Sequence, residues 1–180
     1  MKLHILIADD HGIVRRGLKE LLLEEFPTAI IEEAENADEL LRLSGQKKWD
    51  LVISDINMPG RSGIDALHQI RHEFPGIPVL IMSMYSEDQY ALRAFKAGAA
   101  GYLAKETVHY NLAKAVKDVL SGKKFITPAI AEKMAGFLGE ESTKQPHEQL
   151  SNREFEVFKL LTAGKSATAI YFSDLMAIYK

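Results

Sequence analysis

Along the first two thirds of the chain, short runs of Ile, Leu and Val alternate with longer segments in which apolar residues recur every three or four positions. The runs Leu3–Ala8, Leu51–Ser54 and Val79–Ser83 are almost continuously apolar, as strands buried on both faces of a parallel sheet must be. Ala29–Glu33 and Gly101–Leu103 are weaker runs of the same kind. In the first helical segment Val14, Leu18 and Leu22 stand four apart with Leu21 beside them, so Arg15, Arg16, Lys19 and Glu20 are expected on the solvent face. Asn36 before Ala37-Asp38-Glu39, and Ser86 before Glu87-Asp88-Gln89, have the spacing of helix-capping boxes. A last helix is expected over about Val108–Leu120, with Leu112, Val116, Val119 and Leu120 on one side and Gly122 as its stop. Five strand–helix units predict an α/β fold, a doubly wound parallel sheet with right-handed crossovers. In such folds ligands sit beyond the carboxyl ends of the strands, at a topological switch point.

After Gly122 the pattern weakens. One helix is expected over Ala129–Leu138, where Ile130, Met134, Phe137 and Leu138 recur at helical spacing, followed by a polar linker, GEESTKQPHEQ. A second unit is expected from near Leu150. Ser151-Asn152-Arg153-Glu154 has capping-box spacing, and Val157, Leu160 and Leu161 continue a helical stripe to Gly164. The expected division is 1–121, a linker over 122–147, and a small helical segment over 148–180.

Composition narrows this picture little. The absence of cysteine excludes disulfides and thiolate metal sites and suits a reducing cytoplasm. No apolar run reaches the ~20 residues of a membrane span, and the N-terminus lacks the apolar core and cleavage site of a signal peptide. The net charge of −3 gives no whole-chain reason to expect nucleic acid.

The strand ends carry the chemistry. Asp9 and Asp10 close the first run, Asp55 the third and Ser83 the fourth, while Lys105 stands just past the fifth. In a parallel sheet all five project into one crevice. Crowded carboxylates resist ionisation unless a cation joins them, and oxygen-only ligands suit Mg2+. A lysine and a hydroxyl beside them complete the equipment for stabilising a transferring phosphoryl group. Other conspicuous residues read as structural. Trp49 is expected in packing, and the His68/His72 pair lacks a third ligand and is expected on exposed helix.

Asp9-Asp10-His11, Asp55-Ile56-Asn57-Met58-Pro59-Gly60, Ser83-Met84 and Gly101-Tyr102-Leu103-Ala104-Lys105 resemble, in order, the signature of two-component response regulator receiver domains. The resemblance implies a flavodoxin-like (βα)5 fold with Asp55 as phosphoacceptor from a sensor histidine kinase. It implies Mg2+ held by Asp10, Asp55 and the backbone carbonyl of Asn57, with Asp9 acting through a water. Lys105, Ser83 and the backbone N–H of Met84 would stabilise the phosphoryl group, and Tyr102 would swing inward as Ser83 moves. A haloacid-dehalogenase-type phosphatase also uses an aspartate and Mg2+, but it carries a second aspartate two residues on, where this chain has Asn57. A receiver acting through protein contacts alone is the other alternative.

Leu150–Ser166 resembles the opening of the LuxR-type helix-turn-helix domain, and Asp10–Leu18 resembles the NarL/FixJ receivers that carry it. That resemblance implies a transcription regulator with promoter DNA as partner and a homodimer on phosphorylation. Past Ile170 the pattern departs. Tyr171 and Asp174 stand where a small residue and a leucine are expected, and the sequence reaches Lys180 before a recognition helix. Residues 148–180 hold four basic and four acidic side chains. DNA binding by these residues is therefore expected to be impaired.

Overall fold

The apolar runs form one sheet of five parallel strands, flanked by the amphipathic segments. In order the elements are β1 (His4–Ala8), α1 (Gly12–Glu25), β2 (Ile30–Ala34), α2 (Ala37–Ser44), β3 (Leu51–Asp55), α3 (Gly63–Glu73), β4 (Val79–Ser83), α4 (Glu87–Lys96) and β5 (Gly101–Ala104). A 3-10 turn (Lys105–Thr107) then leads into α5 (Val108–Leu120). This computed structural model describes residues 2–84, 87–132, 150, 152–162, 164–166 and 168. The expected cap at Ser86, most of the helix expected over Ala129–Leu138, the polar linker and everything from Ile170 onward lie outside the described residues.

The strand order is β2-β1-β3-β4-β5, so the chain reverses direction across the sheet between β1 and β3. This is the expected doubly wound arrangement, and it puts the switch point between the ends of β1 and β3. β3 and β4 are wholly buried along their length, which explains their largely apolar sequence. Alternation then divides the core. Ile5, Ile7, Leu51, Ile53, Leu80 and Met82 form one cluster with Leu18 and Leu22 of α1 and Leu112, Val116 and Val119 of α5. The intervening strand residues, such as Leu6, Val52 and Ile81, are equally buried. Their opposite orientation turns them toward the layer in which α2 packs on α3.

Helix ends follow the sequence closely. Asn36 accepts a hydrogen bond from the Glu39 N–H at 2.9 Å, and Glu39 reaches back to the N–H of Glu35 at 2.9 Å. Gly122 adopts φ +82°, the left-handed conformation that lets α5 stop. Its N–H bonds the Val119 carbonyl, and the Lys123 N–H bonds that of Asp118. Trp49 packs as expected. It is buried, its indole N–H donates to the Leu43 carbonyl at 2.9 Å, and the Lys47 ammonium lies 4.4 Å from its ring centre.

One helix face differs from expectation. Arg15 is buried rather than on the solvent face of α1. It sits three residues before Leu18 and seven before Leu22, hence on the buried stripe. Its aliphatic stem can occupy that stripe while its head group finds acids and a carbonyl at the sheet's end.

The chain divides into two compact units, Met1–Gly139 and Glu140–Lys180. The first runs past α5. Phe125 pairs with the start of β5, and both Phe125 and Ile130 are buried. In the second unit the described helix is Asn152–Thr162, ending at a turn where the Gly164 N–H bonds the Leu161 carbonyl. Phe158 and Leu161 are substantially exposed on it.

Candidate functional site

Register brings the acids together. β1 and β3 pair in parallel with Ile7 opposite Ile53 and Ala8 opposite Ser54. The same alignment carried one residue further sets Asp9 beside Asp55. Asp55 stays in the sheet, because the Ile56 N–H bonds the Met82 carbonyl at 3.0 Å and ties the end of β3 to β4. Asp9 is fully buried, and Asp55 is 2% exposed.

Lys105 reaches across from the end of β5. Its Nζ donates to Asp9 Oδ2 at 2.6 Å and to Asp55 Oδ2 at 2.7 Å. Burial pushes the Asp55 carboxyl up from its ordinary 3.8 to about 6, against the pull of the Lys105 ammonium. The neighbouring Asp9 adds to the upward push, while the backbone N–H of Asn57 opposes it. The Lys105 ammonium is in turn held above its ordinary value, because the attraction of Asp55 and Asp9 outweighs its own desolvation. At neutral pH the site therefore holds an ionised but poorly solvated carboxylate against a firmly protonated lysine. A desolvated carboxylate with a raised pKa is a better nucleophile than an exposed one.

Asp10 lies beside this pair and more open to solvent. Donor atoms of Asp9, Asp10, His11 and Asp55 all lie within 4.8 Å of one another. Three carboxylates face a single lysine, so the cluster is short of positive charge. Asp10 Oδ1 and Asn57 Oδ1 are buried and have no hydrogen-bond partner among the described residues. His11 Nδ1 stands 2.7 Å from that Asp10 oxygen, but not as a hydrogen bond. An Asp10 oxygen without a hydrogen bond, on a cluster of excess negative charge, fits a hard divalent cation such as Mg2+.

The remaining expected residues fall at the rim or under it. Ser83 closes β4 and is fully buried, opposite Ala104 in the register with β5. Tyr102, expected to move inward, is already fully buried in this structure. The side chain of Met84 is largely exposed. His68 and His72 lie on the exposed side of α3, as expected.

Three residues that shape the site were not expected to do so. Arg15 Nη1 donates to the backbone carbonyl of Asp9 at 2.6 Å. His11 supplies its backbone N–H to Asp9 Oδ1 at 2.8 Å, closing a two-residue turn around that carboxylate. Gly63, the first residue of α3, lies so close to Asp55 that an added Cβ would stand 1.9 Å from the Asp55 carbonyl oxygen. Its own N–H holds the Ile56 carbonyl at 2.8 Å. A glycine eight residues after a strand-end aspartate was the only signal for that approach.

Known proteins share this architecture. A family model described as the response regulator receiver domain matches residues 5–117. Transcriptional regulatory protein YdfI of Bacillus subtilis is 34% identical over 169 residues, covering 93% of this chain and 79% of that protein. Response regulator GacA of Pseudomonas aeruginosa is 30% identical over 154 residues, covering 85% and 72% respectively. A crystal structure of a LuxR-family two-component response regulator from an Aurantimonas species matches with a TM-score of 0.69 at 34% identity. It covers 78% of this chain and 100% of that one. The chain belongs to the response regulators of two-component systems, in the NarL/FixJ family, with a receiver domain over residues 5–117.

Proposed function

We propose that Asp55 accepts a phosphoryl group from the phosphohistidine of a sensor kinase, and that the aspartyl phosphate so formed switches the domain to control transcription. The observation that carries this reading is the buried Asp55 carboxylate gripped by Lys105, in a cluster of three aspartates of which Asp10 has an oxygen with no hydrogen bond. A carboxylate oxygen of Asp55 forms the new bond to phosphorus as the phosphorus–nitrogen bond to the donor imidazole breaks. The proton the imidazole needs comes from outside the crevice.

Asp10, Asp55 and the Asn57 backbone carbonyl would hold Mg2+ directly, with Asp9 acting through a water. Bound Mg2+ supplies charge neutralisation for the transferring group. Lys105 is protonated and already at Asp55, so it can move onto a phosphoryl oxygen without a change of charge. The Ser83 hydroxyl and the Met84 N–H would take further oxygens. Tyr102 is buried in this structure, so movement of Ser83 would bias the occupancy of a position its ring can take. Phosphorylation then acts as a population shift rather than as the creation of a new state.

Response regulators are signalling proteins rather than metabolic enzymes, and the chemistry proposed here is confined to the protein's own aspartate. The proposed output is transcriptional, with a dimer formed on phosphorylation. The even charge of residues 148–180 argues for weak direct contact of that stretch with DNA. Cytoplasmic residence belongs to the same reading; no helix among the described residues is long and apolar enough to cross a membrane.

The test is incubation with a small acyl-phosphate donor. One phosphoryl group per chain is expected with Mg2+ and none after chelation of the metal. Continuous turnover of a phosphate ester would point instead to a phosphatase. Metal binding should also depend on pH. Because Asp55 must lose its proton to bind and its carboxyl stands at about 6, Mg2+ affinity should be flat above pH 7. Below pH 6 it should fall by up to about tenfold per pH unit, as calorimetric titration can show. Affinity unchanged from pH 7.5 to 5 would remove Asp55 from the ligand set.

A further inference from the structure

We infer that Arg15 is a positioning residue for the metal-binding loop, fixing the backbone of Asp9 and through it the aim of the Asp9 and Asp10 carboxylates. The inference rests on the Mg2+ site proposed above. The register of β1 with β2 and β3 runs to Ala8, and one further bond, from the Asp9 N–H to the Ala34 carbonyl at 3.2 Å, carries it to the loop that holds both acids. Arg15 takes up the chain at that point, with its Nη1 on the Asp9 carbonyl.

The guanidinium is itself held on its other edges. Its Nη2 donates to Glu35 Oε1 at 2.6 Å and its Nε to Glu33 Oε2 at 3.4 Å. Lys19 shares Glu33 at 3.0 Å, and together these cations keep the Glu33 carboxyl below its ordinary value, with the Lys19 hydrogen bond foremost. The end of β1 is thus braced against α1 and the end of β2 by one planar, three-point contact. The compact ammonium of a lysine cannot spread its donors over the same planar fork.

Two other roles for Arg15 predict different results. As a nearby positive charge alone, it would repel Mg2+, so its removal would tighten metal binding. As packing alone, its loss would lower stability and leave the folded protein's metal affinity unchanged. Positioning predicts weaker binding. Loss of a group that orients ligands typically costs ten- to a hundredfold in metal affinity.

The experiment is calorimetric titration of Mg2+ into the full chain as wild type, Arg15→Ala and Arg15→Lys. Arg15→Ala should bind about tenfold more weakly, and Arg15→Lys should fall between it and wild type. At saturating Mg2+ both variants should reach wild-type phosphoryl stoichiometry with an acyl-phosphate donor, because Asp55 and Lys105 are untouched. Unchanged or tighter Mg2+ binding in a folded Arg15→Ala overturns the inference. Should Arg15→Ala not fold, wild-type affinity in Arg15→Lys overturns it equally. Failure of the wild type to bind Mg2+ would instead strike the metal site itself.

Discussion

Asp55→Asn should make the metal-free protein more stable at pH 7.5, while removing its stabilisation by Mg2+. The carboxyl is raised from 3.8 to about 6 by burial, so the folded state resists its ionisation. A group raised on folding contributes its full stability below the unfolded value and loses it as pH rises through the folded value. For Asp55 that loss falls between about pH 4 and pH 6 and is on the order of 3 kcal/mol. Asparagine has no such ionisation. Thermal melts without metal should therefore show a higher Tm for the variant at pH 7.5, with the gap closing as pH falls and gone below about 3.8. Mg2+ at a hundred times its Kd adds about 2.7 kcal/mol to the form that binds it and should nearly close the gap, and at a thousand times its Kd it adds about 4.1 kcal/mol and should reverse the order. A metal-free wild type more stable than the variant at pH 7.5 would show that Lys105 outweighs desolvation.

Gly63→Ala should damage both the fold and the site, although it adds one methyl group. That methyl would stand 1.9 Å from the Asp55 carbonyl oxygen and 2.8 Å from its carbon. Both are backbone atoms, so relief requires moving the start of α3 or the end of β3. Overpacking of this kind costs about 1–3 kcal/mol and occasionally more, and contact with the Asp55 backbone, which cannot rotate away, puts this case at or above the upper end. Movement of β3 displaces Asp55 directly, and movement of α3 strains the Gly63 N–H bond to the Ile56 carbonyl beside it, so Mg2+ affinity and phosphoryl uptake should fall together. Gly17 is the control. It lies within α1, and an added Cβ there meets nothing within 4 Å. Gly17→Ala should be neutral or stabilise by about 0.5–1 kcal/mol, as urea melts of both variants can show. A Gly63→Ala protein with wild-type stability and metal affinity would show that the helix start yields freely.

The fold was legible because burial writes itself into the strands. Two-sided burial of β3 and β4 left largely apolar runs, and the periods of the intervening helices were plain. The grouping of Asp9, Asp55 and Lys105 was legible for a related reason, since parallel register aligns every strand's last residue at one edge. Strand limits shifted by about one residue. β2 runs over Ile30–Ala34 and β3 takes in Asp55, because main-chain pairing and not side-chain polarity sets where a strand ends. Arg15 was misread because periodicity sorts residues by polarity, while a long stem can be buried under a charged head that finds Glu33, Glu35 and a carbonyl. Those partners lie eighteen or more residues away in sequence for the two acids. Gly63 escaped notice because a close approach leaves no pattern, only the absence of a side chain. The full burial of Tyr102 had no local signature.

The central claim is that Asp55 itself takes the phosphoryl group. Its most direct test is reductive trapping with borohydride after treatment with Mg2+ and a small acyl-phosphate donor, followed by peptide mass mapping. An acyl phosphate is reduced to an alcohol, so the account predicts homoserine at position 55 in the wild type, and no trapped residue elsewhere or in Asp55→Asn. A trapped residue at Asp9 or Asp10, or a phosphoryl adduct on Asp55→Asn equal to that of the wild type, would contradict it.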